Sequence, residues 1–100
     1  MIIQVLINLV KNAIQAVEGV DQPSVRVLAK MNSGRVVMEV IDNGPGIPED
    51  IREEIFVPFF TTRDQGSGVG LSYSRQVMNL NRGRIEFESS PGNTCFRLIF

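Results

Sequence analysis

Three groups of residues in this 100-residue sequence combine side chains and spacings that could carry chemistry. In the first, Gln4, Asn8, Lys11, Gln15 and Glu18 follow one another at intervals of 4, 3, 4 and 3, with Asn12 beside them. On a helix that spacing makes a narrow polar stripe along an otherwise apolar rod, the inverse of an ordinary surface helix. A solvated strip accounts for any one of these asparagines. Two of them at i and i+4 with a lysine between are less ordinary, because asparagine is a mediocre helix former and exposed stripes usually carry Glu and Lys. Asparagine carbonyls one turn apart offer oxygens to a hard cation, and the Lys11 ammonium offers a point charge to a phosphate.

The second group is Asp42-Asn43-Gly44-Pro45-Gly46, at the end of an apolar run. Its plain reading is a turn capped by an aspartate. Its functional reading is a buried acceptor carboxylate above a glycine floor that lets a flat ring approach the backbone. Such a carboxylate accepts from an exocyclic amine like that of adenine. The third group is Gly66-Ser67-Gly68-Val69-Gly70-Leu71, just before a helical pattern. No Gly-Lys-Ser/Thr follows, so it is not a Walker A loop; no strand directly precedes it and the spacing is G-x-G-x-G, so it is not a dinucleotide fingerprint. What remains is a glycine-rich approach to a helix N-terminus, where N–H groups and the macrodipole favour an anion. Glycine also makes a segment movable, and residues 55–67 before it resemble a lid.

The elements that must hold these groups follow from periodicity. Residues 2–18 read as a helix closed by Gly19. Residues 24–31 alternate as a strand with Val25, Val27, Ala29 and Met31 on one side. Asn32-Ser33-Gly34 signals a hairpin whose return strand is 35–42. A short helix over 48–54 has Pro48, Glu49 and Asp50 at its favoured end. A second long helix covers about 68–80, and strands 84–89 and 94–100 flank a Ser90-Pro91-Gly92-Asn93 turn. This order favours an α+β two-layer sandwich, a mixed, mainly antiparallel sheet with helices on one face.

Composition narrows the chemistry further. Ten Lys and Arg against eleven Asp and Glu give a net charge of −1, which lacks the positive field of a nucleic-acid binder. One cysteine, Cys95, excludes an internal disulfide, and zero histidines exclude His triads, His proton shuttles and the commonest zinc ligand sets. Cys95 alternates with apolar neighbours and reads as a small buried side chain. The apolar start carries no basic n-region and is interrupted by Gln4, Asn8, Lys11 and Asn12, so neither a signal peptide nor a membrane span is expected. An apolar helix with no capping residue ahead of it reads as the interior of a longer protein.

In combination the motifs are specific. Asn8-Leu9-Val10-Lys11-Asn12-Ala13, then Asp42-Asn43-Gly44-Pro45-Gly46-Ile47, then Phe56-Val57-Pro58-Phe59-Phe60-Thr61-Thr62-Arg63, then Gly66-Ser67-Gly68-Val69-Gly70-Leu71 resemble, in order, the catalytic and ATP-binding domain of bacterial sensor histidine kinases. That domain belongs to the superfamily of DNA gyrase, the Hsp90 chaperones and the MutL proteins. The resemblance spans the whole chain, residues 1–100, as one domain with a lid at about 55–67. It implies the Bergerat-type ATP-binding fold, here without its first strand.

The resemblance also implies roles. Asn12, with Asn8 beside it, would hold Mg²⁺. Lys11 and Arg63 would contact phosphate, although a loop arginine equally serves as a solvated side chain. Asp42 and Thr94 would receive the adenine, Gly44, Gly46 and Ile47 would shape its pocket, and Phe56, Phe59, Phe60 and Thr62 belong to the lid. Gly66, Ser67, Gly68, Val69, Gly70 and Leu71 would bring backbone groups to the phosphates. Gyrase-like members carry a water-activating glutamate one turn before the Mg²⁺-binding asparagine; here Asn8 stands there, and an amide is no useful base. The chain would therefore bind Mg-ATP and aim its γ-phosphate at a histidine on a separate helical dimerisation domain, serving a response regulator. The alternatives are a regulatory nucleotide-binding module and an anti-sigma-type Ser kinase of the same fold. No nucleic-acid partner and no direct membrane contact are implied. The domain would be cytoplasmic, monomeric or weakly self-associating, in a parent that is soluble or anchored in the inner membrane. Two departures stand out: the turn before the last strand is shorter than the family pattern, and Asn81-Arg82-Gly83 replaces the usual His-Gly-Gly.

Overall fold

The computed structural model describes residues 2–58 and 70–100. Their order is α1 (Ile2–Ala16), β1 (Val25–Asn32), β2 (Arg35–Asp42), a 3₁₀ turn (Glu49–Glu54), α2 (Gly70–Leu80), β3 (Arg84–Ser90) and β4 (Asn93–Ile99). The four strands form one sheet in the order β1-β2-β4-β3, and every pairing in it is antiparallel. Both helices lie on one face, α1 over β2 and α2 over β3, packed against each other. Among the described residues no helix is long and apolar enough to cross a membrane.

The period-2 and period-3.6 patterns meet in the core. Helix α1 buries Val5, Leu9 and Ala13, and α2 buries Val77 and Met78. They meet Val40 of β2 and Phe96 and Leu98 of β4, while Ile55 closes one side. Leu9, Met78 and Leu98 are at most 1% exposed, and each such side chain contributes about 1.5–3 kcal/mol through burial. Phe87 stacks on Phe96 at 5.5 Å, and Phe56 leans on Phe87 at 6.1 Å.

The elements depart from the sequence reading in several places, each with a physical reason. The short helix is 3₁₀ rather than α: Pro48 supplies no side-chain cap, and six residues are too few to propagate a ladder. The last hairpin is tighter than expected, since pairing continues to Ser90 and Asn93 and leaves Pro91-Gly92 as the loop. Helix α1 stops at Ala16, two residues before the expected end, in a turn where Val20 N donates to Val17 O. The alternation of β1 does place Val25, Val27, Ala29 and Met31 on the helix-facing side, by their register with Asp42, Val40, Met38 and Val36. Burial does not follow. Val27 and Met31 remain exposed because α1 lies over β2 and covers little of β1.

Candidate functional site

The helix-facing side of the sheet ends in a pair. Asp42 closes β2, Thr94 opens the way into β4, and the register sets them directly opposite each other on the helix-facing side. Both are buried, at 5% and 4% exposure. Asp42 Oδ1 accepts from Gly44 N at 2.9 Å, the turn hydrogen bond expected of an aspartate two residues before a glycine. The neighbouring Asn43 is spent on structure: its Oδ1 accepts from Ser24 N and its Nδ2 donates to Gln22 O.

Both glycines of this turn are required by close approach. A Cβ on Gly44 would lie 2.7 Å from Ala16 O, so the turn runs directly under the C-terminal end of α1. A Cβ on Gly46 would lie 2.8 Å from Ser90 O, and φ there is +92°, in the region that favours glycine. Gly44 O in turn accepts from Gly92 N at 3.0 Å, which ties the turn to the last hairpin. Ile47 follows, half-buried and packed against the core. Asp42, Gly44, Gly46, Ile47 and Thr94 are thus brought into one place.

The other end of the site lies along α1. Asn8 and Asn12 occupy one edge of the helix and are half-buried, whereas Lys11 is exposed. The Asn8 side chain lies about 4 Å from where a Cβ on Gly70 would stand, so this edge meets the N-terminal end of α2. Asn8 Oδ1 accepts from Gln4 Nε2 at 3.1 Å. Between Asn8 and Ala16 run about 12 Å of helix, the scale of a nucleoside triphosphate. The Asp42–Thr94 pair by the C-terminal end of α1 and the N-terminus of α2 beside Asn8 therefore lie at two places along one edge. Leu71 turns into the core rather than towards this edge.

Amide oxygens are hard ligands, and they fit Mg²⁺ in the way that ion is usually held, by one or two protein oxygens with phosphates and water completing the shell. Among the described residues no group of three His, Cys, Asp or Glu could hold a metal, so the phosphates would have to supply the charge. The expected site residues Phe60, Thr62, Arg63, Gly66, Ser67, Gly68 and Val69 lie outside the described residues, as does Phe59. Phe56 lies within them, under the Arg75 guanidinium at 5.3 Å and against Phe87.

A family model described as histidine kinase-, DNA gyrase B- and HSP90-like ATPase matches residues 1–100. The chain belongs to this family. Within it the chain resembles sensor kinases: it is 42% identical over 93 residues to the C4-dicarboxylate transport sensor protein DctB of Rhizobium meliloti, covering 93% of this chain and 15% of that protein. The catalytic domain of histidine kinase ThkA superposes with a TM-score of 0.83 at 38% identity, over 97% of this chain and 63% of that one. Full-length ShkA, solved in complex with AMPPNP, superposes at 0.83 with 30% identity, over 96% of this chain and 20% of that one. The ATPase-family chain thus has the fold of histidine kinase catalytic domains and spans under a fifth of the DctB sequence it matches.

Two residues of this ATPase-family site escaped the sequence reading. Ser89 Oγ accepts from Ile47 N at 2.8 Å and lies 2.8 Å from Thr94 Oγ1. Arg52 donates through Nε to Ile47 O at 3.0 Å and through Nη2 to Ser89 O at 2.8 Å. The signal for Ser89 was its position facing Thr94 across the hairpin, visible once the Pro91-Gly92 loop fixes the register.

Proposed function

We propose that this chain binds Mg-ATP and presents the γ-phosphate to a histidine on a separate helical dimerisation domain, which then serves a response regulator. The observation that carries the reading is the site's two parts: a buried Asp42–Thr94 pair by the C-terminal end of α1, and Asn8, midway along α1, against the N-terminus of α2. Asp42 would accept the adenine amine. Asn12 and Asn8 would hold Mg²⁺ between phosphates, with Lys11 and the 63–70 segment adding charge and backbone donors. The ATP-analogue complex of ShkA supports the nucleotide, and the sensor-kinase relatives support the phosphoacceptor and regulator.

The local chemistry supports transfer rather than hydrolysis. Position 8 holds an amide, and an amide does not take a proton from water. Phosphoryl transfer asks mainly for positioning and charge neutralisation, so a domain without a general base still suffices when the nucleophile comes from elsewhere. With no histidine in the sequence, the phosphoacceptor has to come from outside these hundred residues.

The test mixes the chain with Mg²⁺, γ-labelled ATP and a purified dimerisation domain. Acid-labile label on that domain is expected, and label on neither protein despite ATP binding would leave a regulatory nucleotide-binding module. Acid-stable label on serine would mark a Ser kinase of this fold. Asn12→Ala should abolish the Mg²⁺-dependent part of ATP binding; unchanged affinity would remove Asn12 from the metal site.

A further inference from the structure

The loop between α1 and β1 contains a strained residue that one side chain from outside the loop holds in place. Gln22 stands at φ +53°, a conformation that a residue with a Cβ rarely takes. Pro23 follows it, and a residue before proline ordinarily settles near φ of about −120°. Gly19, earlier in the loop, is also left-handed at φ +79°, but there glycine fits without cost. Gln22 has no such freedom, and Asn43 supplies the restraint. Asn43 Nδ2 donates to Gln22 O at 2.9 Å, and Asn43 Oδ1 accepts from Ser24 N at 2.8 Å, one bond on each side of Pro23. The Asn43 N–H adds a third bond, to Ser24 O at 3.2 Å. A primary amide offers a donor and an acceptor on one short planar group, and this latch uses both.

The latch sits at the candidate site. Asn43 lies between Asp42 and Gly44 in the sequence. The loop that it holds leaves the C-terminal end of α1 and finishes at Val25, directly opposite Asp42. That helix end is the one packed on the turn, where a Cβ on Gly44 would meet Ala16 O.

We propose that Asn43 is a positioning residue for nucleotide binding: by latching the strained 22–24 segment it keeps the end of α1 and the Asp42 turn in the arrangement that receives the base. The inference rests on the ATP reading above. Strain of this kind persists only where the surrounding structure enforces it, and it gathers at functional sites. Once the latch is broken, Gln22 relaxes to negative φ and the segment draws away from the end of β2. The turn then loses its outer support. Asn43 acts through its two neighbours, while Asn12 and Asn8 lie about one and two turns further back along α1.

Calorimetry measures ATP affinity, with and without Mg²⁺, for the 100-residue chain, Asn43→Ala, Gln22→Gly and the double variant. Each is titrated at a temperature where its melting curve shows it fully folded. Asn43→Ala should weaken ATP binding about tenfold, the factor that left-handed strain represents when nothing holds it. Glycine takes φ +53° without that cost, so Gln22→Gly alone should change affinity by no more than about twofold. Added to Asn43→Ala, it should restore at least about threefold. The ratio of affinities with and without Mg²⁺ should be the same in all four chains, because the Asn8–Asn12 edge is untouched. Asn43→Asp keeps the bond from Ser24 N and loses the donor to Gln22 O. Gln22→Gly should rescue it as well, since glycine removes strain and not charge, and this pair decides the matter if Asn43→Ala does not fold. Unchanged ATP affinity on loss of the amide would overturn the inference. So would a loss that Gln22→Gly fails to restore, or a Mg²⁺ ratio that collapses with the affinity, since either makes Asn43 a general brace of the fold. Failure of the wild-type chain to bind ATP would instead overturn the reading of the site, and this inference with it.

Discussion

Asp42 does two things at once, and a single substitution separates them. One carboxylate oxygen accepts from Gly44 N and shapes the turn, while the charged group as a whole faces Thr94 across the sheet. Asp42→Asn keeps an Oδ1 that accepts from Gly44 N, so the turn should survive and the thermal midpoint should move by no more than a few degrees. The amide also brings an NH₂ donor that opposes the adenine amine. ATP affinity should therefore fall at least tenfold, about 1.4 kcal/mol; calorimetry and a melting curve on the same sample check both halves. A large drop in stability with intact binding would mean that the carboxylate serves the fold alone. Asp42 and Thr94 were legible because each belongs to a motif contiguous in sequence. Ser89 and Arg52 were not, because their contacts join residues 42 and 37 positions apart and depend on where the 3₁₀ turn lands.

At the scale of elements, the end of α2 shows what a motif departure costs. Gly83 N donates to Met78 O at 2.8 Å and Arg82 N to Asn79 O at 3.2 Å, the paired bonds that close a helix in a Schellman motif. That motif needs a left-handed residue, and the residue there is Arg82, at φ +60°. Glycine occurs one position later, where the chain approaches Ile99 O and the Met78 side chain too closely for a Cβ. A non-glycine residue in this conformation costs about 1–2 kcal/mol, partly offset by the greater unfolded-state entropy that glycine brings. Arg82→Gly should stabilise the chain by about 0.5–1 kcal/mol, read as a higher denaturant midpoint at unchanged slope. No shift would mean that the exposed arginine earns back its strain through contacts. The strands and both long helices were legible because their periods run uninterrupted for seven residues or more. The short helix over 48–54 was legible in place but not as 3₁₀, which follows from its length and missing cap, and the bare β1 face was not legible, since it depends on where α1 comes to lie.

The molecule has two unlike faces, and the one without helices makes its own prediction. On that side β2 and β4 carry Val37, Cys95 and Ile99, all buried, although both described helices lie on the other face. Ion-paired side chains lie among them. Glu39, directly opposite Arg97 in the register, accepts from its Nε at 2.8 Å, with Lys30 Nζ at 3.4 Å on its other oxygen. Arg97 reaches on to Glu88 at 3.3 Å, and the Cys95 thiol donates to Glu39 Oε2 at 3.6 Å. The alternation of charged and apolar residues was visible in the sequence, but the partners depend on the register. The Arg97 hydrogen bond, aided by Lys30, holds the Glu39 carboxyl below its ordinary value against the opposing effect of burial. Burial, followed by the Glu39 charge, pushes the Cys95 thiol up. A carboxyl whose folded pKa is depressed contributes stability that is fully present above its unfolded pKa and is lost as pH falls through the folded one. The contribution of Glu39 should therefore be complete at neutral pH and drain away from about pH 4.5 downward. Glu39→Gln keeps the shape and removes the titration. Its stability deficit should be largest near neutrality and should shrink steadily as the medium is acidified through that range. Denaturant midpoints for both proteins at a series of pH values test this, and parallel curves would show that the buried glutamate is held by packing and not by charge.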